Sequence, residues 1–215
     1  MLYGYHGKIL IADLSRGTFE AWEPDESLYR NYIGGSGFGA RLLFDMSGPK
    51  TDPLGPDNVL IWMTGPFTAT KVPMSGRHQI ISKSPLTGIF GEGDVGGRFG
   101  TALKKTGWDG VIVKGISEEP VNLLIIDDKI CLEPAGELWG RDTFYVDKRM
   151  KERFGKTCET SCIGEAGERL LPISGIAHDG EGVGRPAAAG AGWRRNAVRT
   201  GEEAANGQGF HHRLR

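Results

Sequence analysis

The chain has 215 residues, 34 glycines, three cysteines and a formal net charge of −1. Charges that nearly cancel argue against nucleic acid or an anionic membrane as the main partner, and no apolar run approaches the roughly 18 residues that span a bilayer. Cys131, Cys158 and Cys162 form no disulfide framework; Cys158 and Cys162 have a spacing seen in some cluster sites but are too few for a four-ligand zinc or iron–sulfur site unless a partner completes it, so the cysteines read as ordinary, mostly buried strand residues. The length suits one large domain or two small ones, and the start of the chain carries no signal-peptide pattern, which makes a cytoplasmic location the expectation.

In chain order, Lys8 to Leu14 and Thr18 to Trp22 read as two strands joined by the turn Ser15-Arg16-Gly17. Pro24-Asp25-Glu26 opens a helix to Tyr32 with an acidic first turn. Gly34-Gly35-Ser36-Gly37-Phe38-Gly39 feeds a helix over Ala40 to Asp45, and Val59 to Met63 is a buried strand. Arg77 to Lys83 begins a second unit, turned at Ser84-Pro85-Leu86-Thr87-Gly88 and led by Ile89 to Asp94 into Gly96-Gly97-Arg98-Phe99-Gly100. Phe99 to Lys105 is a helix and Val111 to Val113 a strand. The order hairpin, glycine segment, helix, strand thus occurs twice, and such repeats pack around a pseudo-twofold axis. Val121 to Ile126 and Lys129 to Glu133 form a hairpin, and Asp142 caps a helix from Thr143 to Phe154. Thr160 to Ile163 and Leu170 to Ile176 complete the strands.

Glycine brings backbone N–H groups close to a ligand, and a helix start attracts anions. Two such starts suit a large, multiply phosphorylated ligand. The alternative for Gly34, Gly35 and Gly37 is tight turns alone. Trp22, Trp62, Trp108 and Trp139 read as packing residues, and Lys104-Lys105 as a solvated helix face. His78 should point away from Arg77 on a strand, and His178-Asp179 reads as a structural turn. His211 and His212 lie on a tail with no apolar periodicity and are not read as metal ligands.

Several segments together resemble the N-terminal domain of the tungsten-containing aldehyde:ferredoxin oxidoreductases. They are Tyr5-His6-Gly7-Lys8-Ile9-Leu10, Gly34 to Ala40, Asp52-Pro53-Leu54-Gly55-Pro56, Thr64-Gly65-Pro66, Ser75-Gly76-Arg77 and Lys83 to Gly88. Gly96 to Gly100, Leu138-Trp139-Gly140-Arg141-Asp142-Thr143 and Cys162 to Glu168 follow in the family's order. The resemblance implies an α+β fold, with duplicated β-hairpin/helix/strand units forming two β-sheets with short helices over residues 1–185. It implies a tungstopterin, a bis-pterin tungsten or molybdenum cofactor, carried on one face. It implies a magnesium ion bridging the pterin phosphates, and a [4Fe-4S] cluster supplied by later domains of the complete enzyme. Arg77, Gly96, Gly97, Arg98, Gly182, Gly184 and Arg185 match cofactor-binding positions. Asp94 stands where the family has asparagine, and its carboxylate is the expected magnesium ligand. No catalytic residue is assigned to this portion.

The match fails after Arg185. Pro186 to Asn196 replaces the family's further Gly-rich run, as a reading-frame change near Gly192–Ala197 would do, and residues 186–215 are expected to be an out-of-frame, disordered tail. The complete enzyme implied by the resemblance oxidises an aldehyde to a carboxylic acid and passes electrons to ferredoxin. This chain is then its cofactor-base domain, inactive alone, requiring the missing C-terminal domains or a complementing chain, and compatible with a homodimer. A non-catalytic relic, or a base subunit needing a partner, is the alternative. A freestanding nucleotide module ranks last, because neither a P-loop nor a good dinucleotide fingerprint is present.

Overall fold

The computed structural model describes residues 3–127, 129–180, 182–184 and 196–201, the last two segments by backbone. The first sheet holds β1 (Ile9–Asp13), β2 (Thr18–Trp22), β3 (Val59–Met63), β4 (His78–Lys83), β5 (Phe90–Val95) and β6 (Gly110–Lys114) in the order β2-β1-β6-β3-β4-β5. The second holds β7 (Val121–Ile126), β8 (Lys129–Pro134), β9 (Glu159–Ile163), β10 (Ile176–His178), β11 (Gly182–Gly184) and β12 (Asn196–Gly201) in the order β11-β10-β9-β12-β7-β8. The helices are α1 (Glu26–Tyr32), α2 (Gly35–Met46), α3 (Phe99–Lys105), α4 (Thr143–Phe154) and the single turn α5 (Glu165–Glu168). The α+β class with two sheets and short helices is as expected. No helix among the described residues is long and apolar enough to cross a membrane.

The alternation of β3 shows how the layers arise. Its five residues are all buried, because successive side chains leave opposite faces of a strand. Val59, Ile61 and Met63 join Tyr29, Phe38, Leu42 and Leu43 of α1 and α2 in one cluster. Leu60 and Trp62 join Leu123, Ile125, Ile163 and Ile176 of the second sheet in another. Helix α4 covers the second sheet's far face, with Met150 against Leu124 and Cys158, and Val146 against Cys162. The order of layers is therefore helix, sheet, sheet, helix. Phe99 and Leu103 wedge α3 into the core between the sheets.

Both sequence units lie in the first sheet, not one in each. Each unit's hairpin pairs with the other unit's last strand: β1 with β6, and β4 with β3. The strand order is unchanged when the units are exchanged about the β3–β6 seam. The directions are not, since β1 runs parallel to β6 while β4 runs antiparallel to β3. The duplication is one of element order, and the expected twofold axis is broken.

Other expectations change too. The segment Leu170 to Ile176 contributes strand only from Ile176 onward. Leu170 has φ 59°, a conformation incompatible with a strand. Lys104 is 4% exposed, not solvated, and its ammonium meets Asp109 Oδ1 at 2.5 Å. Of the segment expected to be disordered, Asn196–Gly201 forms β12, parallel to β7 and antiparallel to β9. The rest of 186–215, with His211 and His212, lies outside the described residues.

Candidate functional site

The first glycine segment is not a free helix start. Gly35 opens α2 at φ +50°, and its N–H donates to the Thr64 carbonyl at 3.0 Å. A Cβ on Gly39 would collide with Cδ1 of Ile81. These glycines let α2 lie directly on β3 and β4, so packing accounts for them.

The second segment has more open chemistry. Antiparallel pairing of β4 with β5 places Gln79 opposite Asp94. Arg77, just before β4, donates from Nη1 to Asp94 Oδ2 at 2.6 Å, and Gln79 donates from Nε2 to Oδ1 at 3.0 Å. The Arg77 and Asp94 side chains are 62% and 47% exposed. An ion pair this wet is worth about 0–1 kcal/mol, so an incoming anion can take the guanidinium at little cost. His78 is fully buried while Arg77 is exposed, as the strand alternation requires.

Beyond β5, a Cβ on Gly96 would meet nothing, so this backbone stands open. Gly97 has φ +85°, and a Cβ there would lie 2.8 Å from Asp179 Oδ2. Asp179 is the residue that sequence reasoning undervalued. Its Oδ2 accepts from the backbone N–H groups of Arg98 at 2.8 Å and Phe99 at 3.0 Å, across 80 residues of chain. Its Oδ1 accepts from Thr160 N at 3.3 Å. Two N–H groups at the start of α3 are therefore already taken by a resident carboxylate. Asp179 holds φ 53° to reach them, a conformation that Asp tolerates better than most residues.

Arg98 Nε lies 2.9 Å from Glu159 Oε1; the arginine side chain is 70% exposed and the glutamate 6%. Burial, and the charge of the Asp179 carboxyl, push the Glu159 carboxyl up to about 7, and its Oε2 has no hydrogen-bond partner among the described residues. A glutamate inside the fully buried strand β9 was the signal available in the sequence, because buried carboxylates need a partner.

Below this loop, the rings of His78 and His178 meet edge to face with centroids 4.9 Å apart, and Phe99 lies 5.3 and 5.2 Å from them. Both histidines are fully buried. Burial pushes His78 down to about 3, and burial together with His78 pushes His178 well below its usual value. Both are neutral core residues at pH 7, so the structural reading of His178-Asp179 holds for the ring, while the aspartate reaches the glycine loop.

Gly182 and Gly184 lie on β11, which pairs with β10 and packs against β5. The fold thus brings Arg77, Asp94, Gly96, Gly97 and Arg98 to one end of the first sheet, with β11, which carries Gly182 and Gly184, packed against β5; Arg185 lies outside the described residues. Cys158 and Cys162 are buried and Cys131 half-buried. Among the described residues no group of three His, Cys, Asp or Glu side chains could hold a metal ion. A cation at Asp94 would have to take the carboxylate over from Arg77 and Gln79 and draw its other ligands from backbone or from the bound molecule.

Residues 9–198 match the family described as aldehyde ferredoxin oxidoreductase, N-terminal domain. The chain is 38% identical over 191 residues to a tungsten-containing aldehyde ferredoxin oxidoreductase of Thermococcus kodakarensis, covering 88% of this chain and 32% of that protein. It is 38% identical over 180 residues to the protein of the same name from Pyrococcus abyssi, covering 83% and 30%. Among solved structures, the active site complex BamBC of benzoyl coenzyme A reductase with 1,5-dienoyl-CoA aligns at TM-score 0.87 and 28% identity, covering 94% of this chain and 31% of that one. The chain spans about a third of the length of these relatives. The coverage and identity leave one conclusion: the chain belongs to the aldehyde ferredoxin oxidoreductase family, of which it carries the N-terminal domain.

Proposed function

We propose that this chain is the cofactor-base portion of a tungsten-containing oxidoreductase that converts aldehydes to carboxylic acids, with ferredoxin as acceptor. The observation that carries this reading is the convergence of exposed Arg77 and Arg98 with the open backbone of Gly96 and the glycine strand β11 at one end of the sheets. The residues fit an anionic, multiply phosphorylated group. Arg77 offers a planar fork that recognises phosphate or a pterin edge, and Gly96 lets a ligand approach main-chain atoms. When bound, a tungsten or molybdenum pterin supplies the two-electron redox chemistry; the protein supplies binding, orientation and electrostatics.

The roles divide among the side chains. Arg77 leaves Asp94 to hold the anion. Asp94, no longer paired with Arg77, would hold magnesium as a carboxylate in place of the family's asparagine, with Gln79 orienting its other oxygen. Arg98 adds a second positive charge beside Gly97. Gly182 and Gly184 approach the site from the second sheet, on the strand that packs against β5. The [4Fe-4S] cluster and the groups that move protons at the substrate belong to the remaining two thirds of the complete enzyme, contributed by further sequence or a complementing chain, in the cytoplasm. Phe67, Val72 and Met74, in the segment leading to Arg77, and Leu86, Ile89 and Phe90, around the β4–β5 turn, are exposed and offer an apolar surface to that remainder. Alone, this portion turns over no substrate. The family match runs on to residue 198, past Arg185 where it was expected to fail, so the reading-frame change near Gly192–Ala197 rests on the departure of Pro186 to Asn196 from the family's pattern alone, and resequencing the locus tests it.

The deciding experiment is metal analysis of the chain expressed anaerobically with tungstate or molybdate. Retention of tungsten or molybdenum in a stoichiometric fraction, lost on Arg77→Ala, supports the assignment. A correctly folded chain without bound metal or pterin, even beside its complementing portion, overturns it.

A further inference from the structure

We infer that Asp179 is a positioning residue: a carboxylate of the second sheet clamps the start of α3 and so holds Gly96, Gly97 and Arg98 in the shape that receives an anionic group. That the held loop serves a pterin phosphate rests on the cofactor-base reading; the clamp itself does not.

Helix α3 does not cap itself. Arg98 stands at its N-cap position and makes no side-chain capping bond, although the first N–H groups of a helix have no partner within it. Ser, Thr, Asp or Asn normally fills that position. Here the oxygen arrives from the other sheet: Asp179 Oδ2 accepts from Arg98 N at 2.8 Å and from Phe99 N at 3.0 Å. Supplying the cap from a distance leaves position 98 to a cation, whose side chain is 70% exposed.

The carboxylate is itself fixed. His178 pairs with Ser161 where β10 meets β9, and Asp179 is the next residue. Its N–H donates to the Thr160 carbonyl at 3.0 Å, and its Oδ1 accepts from Thr160 N at 3.3 Å. Thr160 is fully buried, so the anchor lies in the core. The φ of 53° at Asp179 is a sparsely populated conformation, of the kind that persists only where the surrounding bonds over-determine it.

The loop lies against this clamp with no spare room. A Cβ on Gly97 would stand 2.8 Å from Asp179 Oδ2. A Cβ on Gly76 would stand 3.2 Å from the Gly97 carbonyl oxygen, and one on Gly100 would stand 2.9 Å from the Gly76 carbonyl oxygen. Backbone therefore packs on backbone between residue 76 and residues 97–100, which brings Arg77 beside the same loop. Asp179 holds Arg98 through its main chain, and the glycine contacts carry that placement to the segment bearing Arg77.

The test is amide hydrogen exchange on the whole chain, with the Tyr145 N–H as reference because Asp142 caps α4 from within its own turn at 2.8 Å. Asp179→Gly keeps the backbone conformation accessible and removes the carboxylate. Exchange at Arg98 and Phe99 should quicken about 10- to 100-fold, the equilibrium equivalent of one charge-assisted hydrogen bond, with Tyr145 unchanged. Asp179→Asn, which keeps a neutral acceptor, should fall between Asp179→Gly and the wild type. Unchanged exchange at Arg98 and Phe99 in Asp179→Gly, or equal acceleration at Tyr145, overturns the clamp. If Asp179→Gly does not fold, Asp179→Asn decides alone: faster exchange at Arg98 and Phe99 with Tyr145 unchanged supports the clamp, and unchanged exchange overturns it. Tungsten retention after anaerobic expression with tungstate then tests the positioning role. Asp179→Gly should lose metal that Asp179→Asn partly keeps, and full retention in Asp179→Gly overturns that role. Absence of tungsten from the wild type, even beside its complementing portion, refutes the cofactor-base reading instead, and the exchange result still judges the clamp.

Discussion

Among individual residues, the most consequential pair for stability is Lys104 and Asp109. Asp109 accepts from Lys104 Nζ, the Tyr29 hydroxyl and the N–H groups of His6 and Gly7, and it is 1% exposed. Removing one partner of a buried charge pair leaves the other charge uncompensated. Lys104→Met should therefore cost about 3–5 kcal/mol in urea unfolding; a loss under about 1 kcal/mol would show the pair to be redundant. Arg77 and Asp94 stand at the opposite limit. Asp94→Asn should change stability by less than about 1 kcal/mol, since both side chains are largely in water. A larger loss would mark Arg77 as structural and count against its role as a ligand donor.

Among elements, the decisive contact is α2 on the first sheet. Gly39 faces Ile81 so closely that no Cβ fits without moving Cδ1. Overpacking of this kind costs about 1–3 kcal/mol, which is the expected penalty of Gly39→Ala. Ile81→Val removes the offending Cδ1, so Gly39→Ala should cost less in that background than alone. Additive losses in the double mutant would show that the helix shifts instead. The legibility of elements follows the same physics. β2, β3, α3 and α4 begin and end where alternation, apolar runs and the Asp142 cap predict. Local cues suffice there, because Asp142 accepts from Tyr145 N within its own turn. They fail for the segment after Leu170, where apolar residues sit in turns. They fail again for Asp179, whose partners lie about 80 residues away.

For the whole molecule, the buried histidines at the seam between the sheets predict how stability should depend on acid. His78, held down to about 3 when folded against 6.5 when unfolded, binds a proton in the unfolded chain first. Its contribution is intact above pH 6.5 and lost as pH falls toward 3, with a slope of up to about 1.4 kcal/mol per pH unit. His178 acts in the same direction. Glu159 acts oppositely, because its folded value of about 7 exceeds its unfolded 4.5; its contribution is full below 4.5 and fades as pH rises to 7. Urea unfolding of the whole chain across this range should show stability rising with pH from acid, and His78→Phe should flatten that rise. An unchanged profile in that variant would place the acid sensitivity elsewhere. Glu159→Gln should steepen the net rise between pH 4.5 and 6.5, where the opposing carboxyl contribution is removed.

The linear sequence by itself determined the family, the class of fold, the bounds of the periodic elements and the neighbourhood of Arg77, Asp94 and Gly96, because motifs and two-residue alternation are local signals. Only the tertiary structure decided that both repeated units share one sheet with broken symmetry, that the first glycine segment is a packing surface, that Lys104 is buried, and that Asp179 and Glu159 reach the start of α3. Each of these depends on which distant strands become neighbours. That choice is made by burial summed over two sheets and leaves no mark on any short stretch of chain.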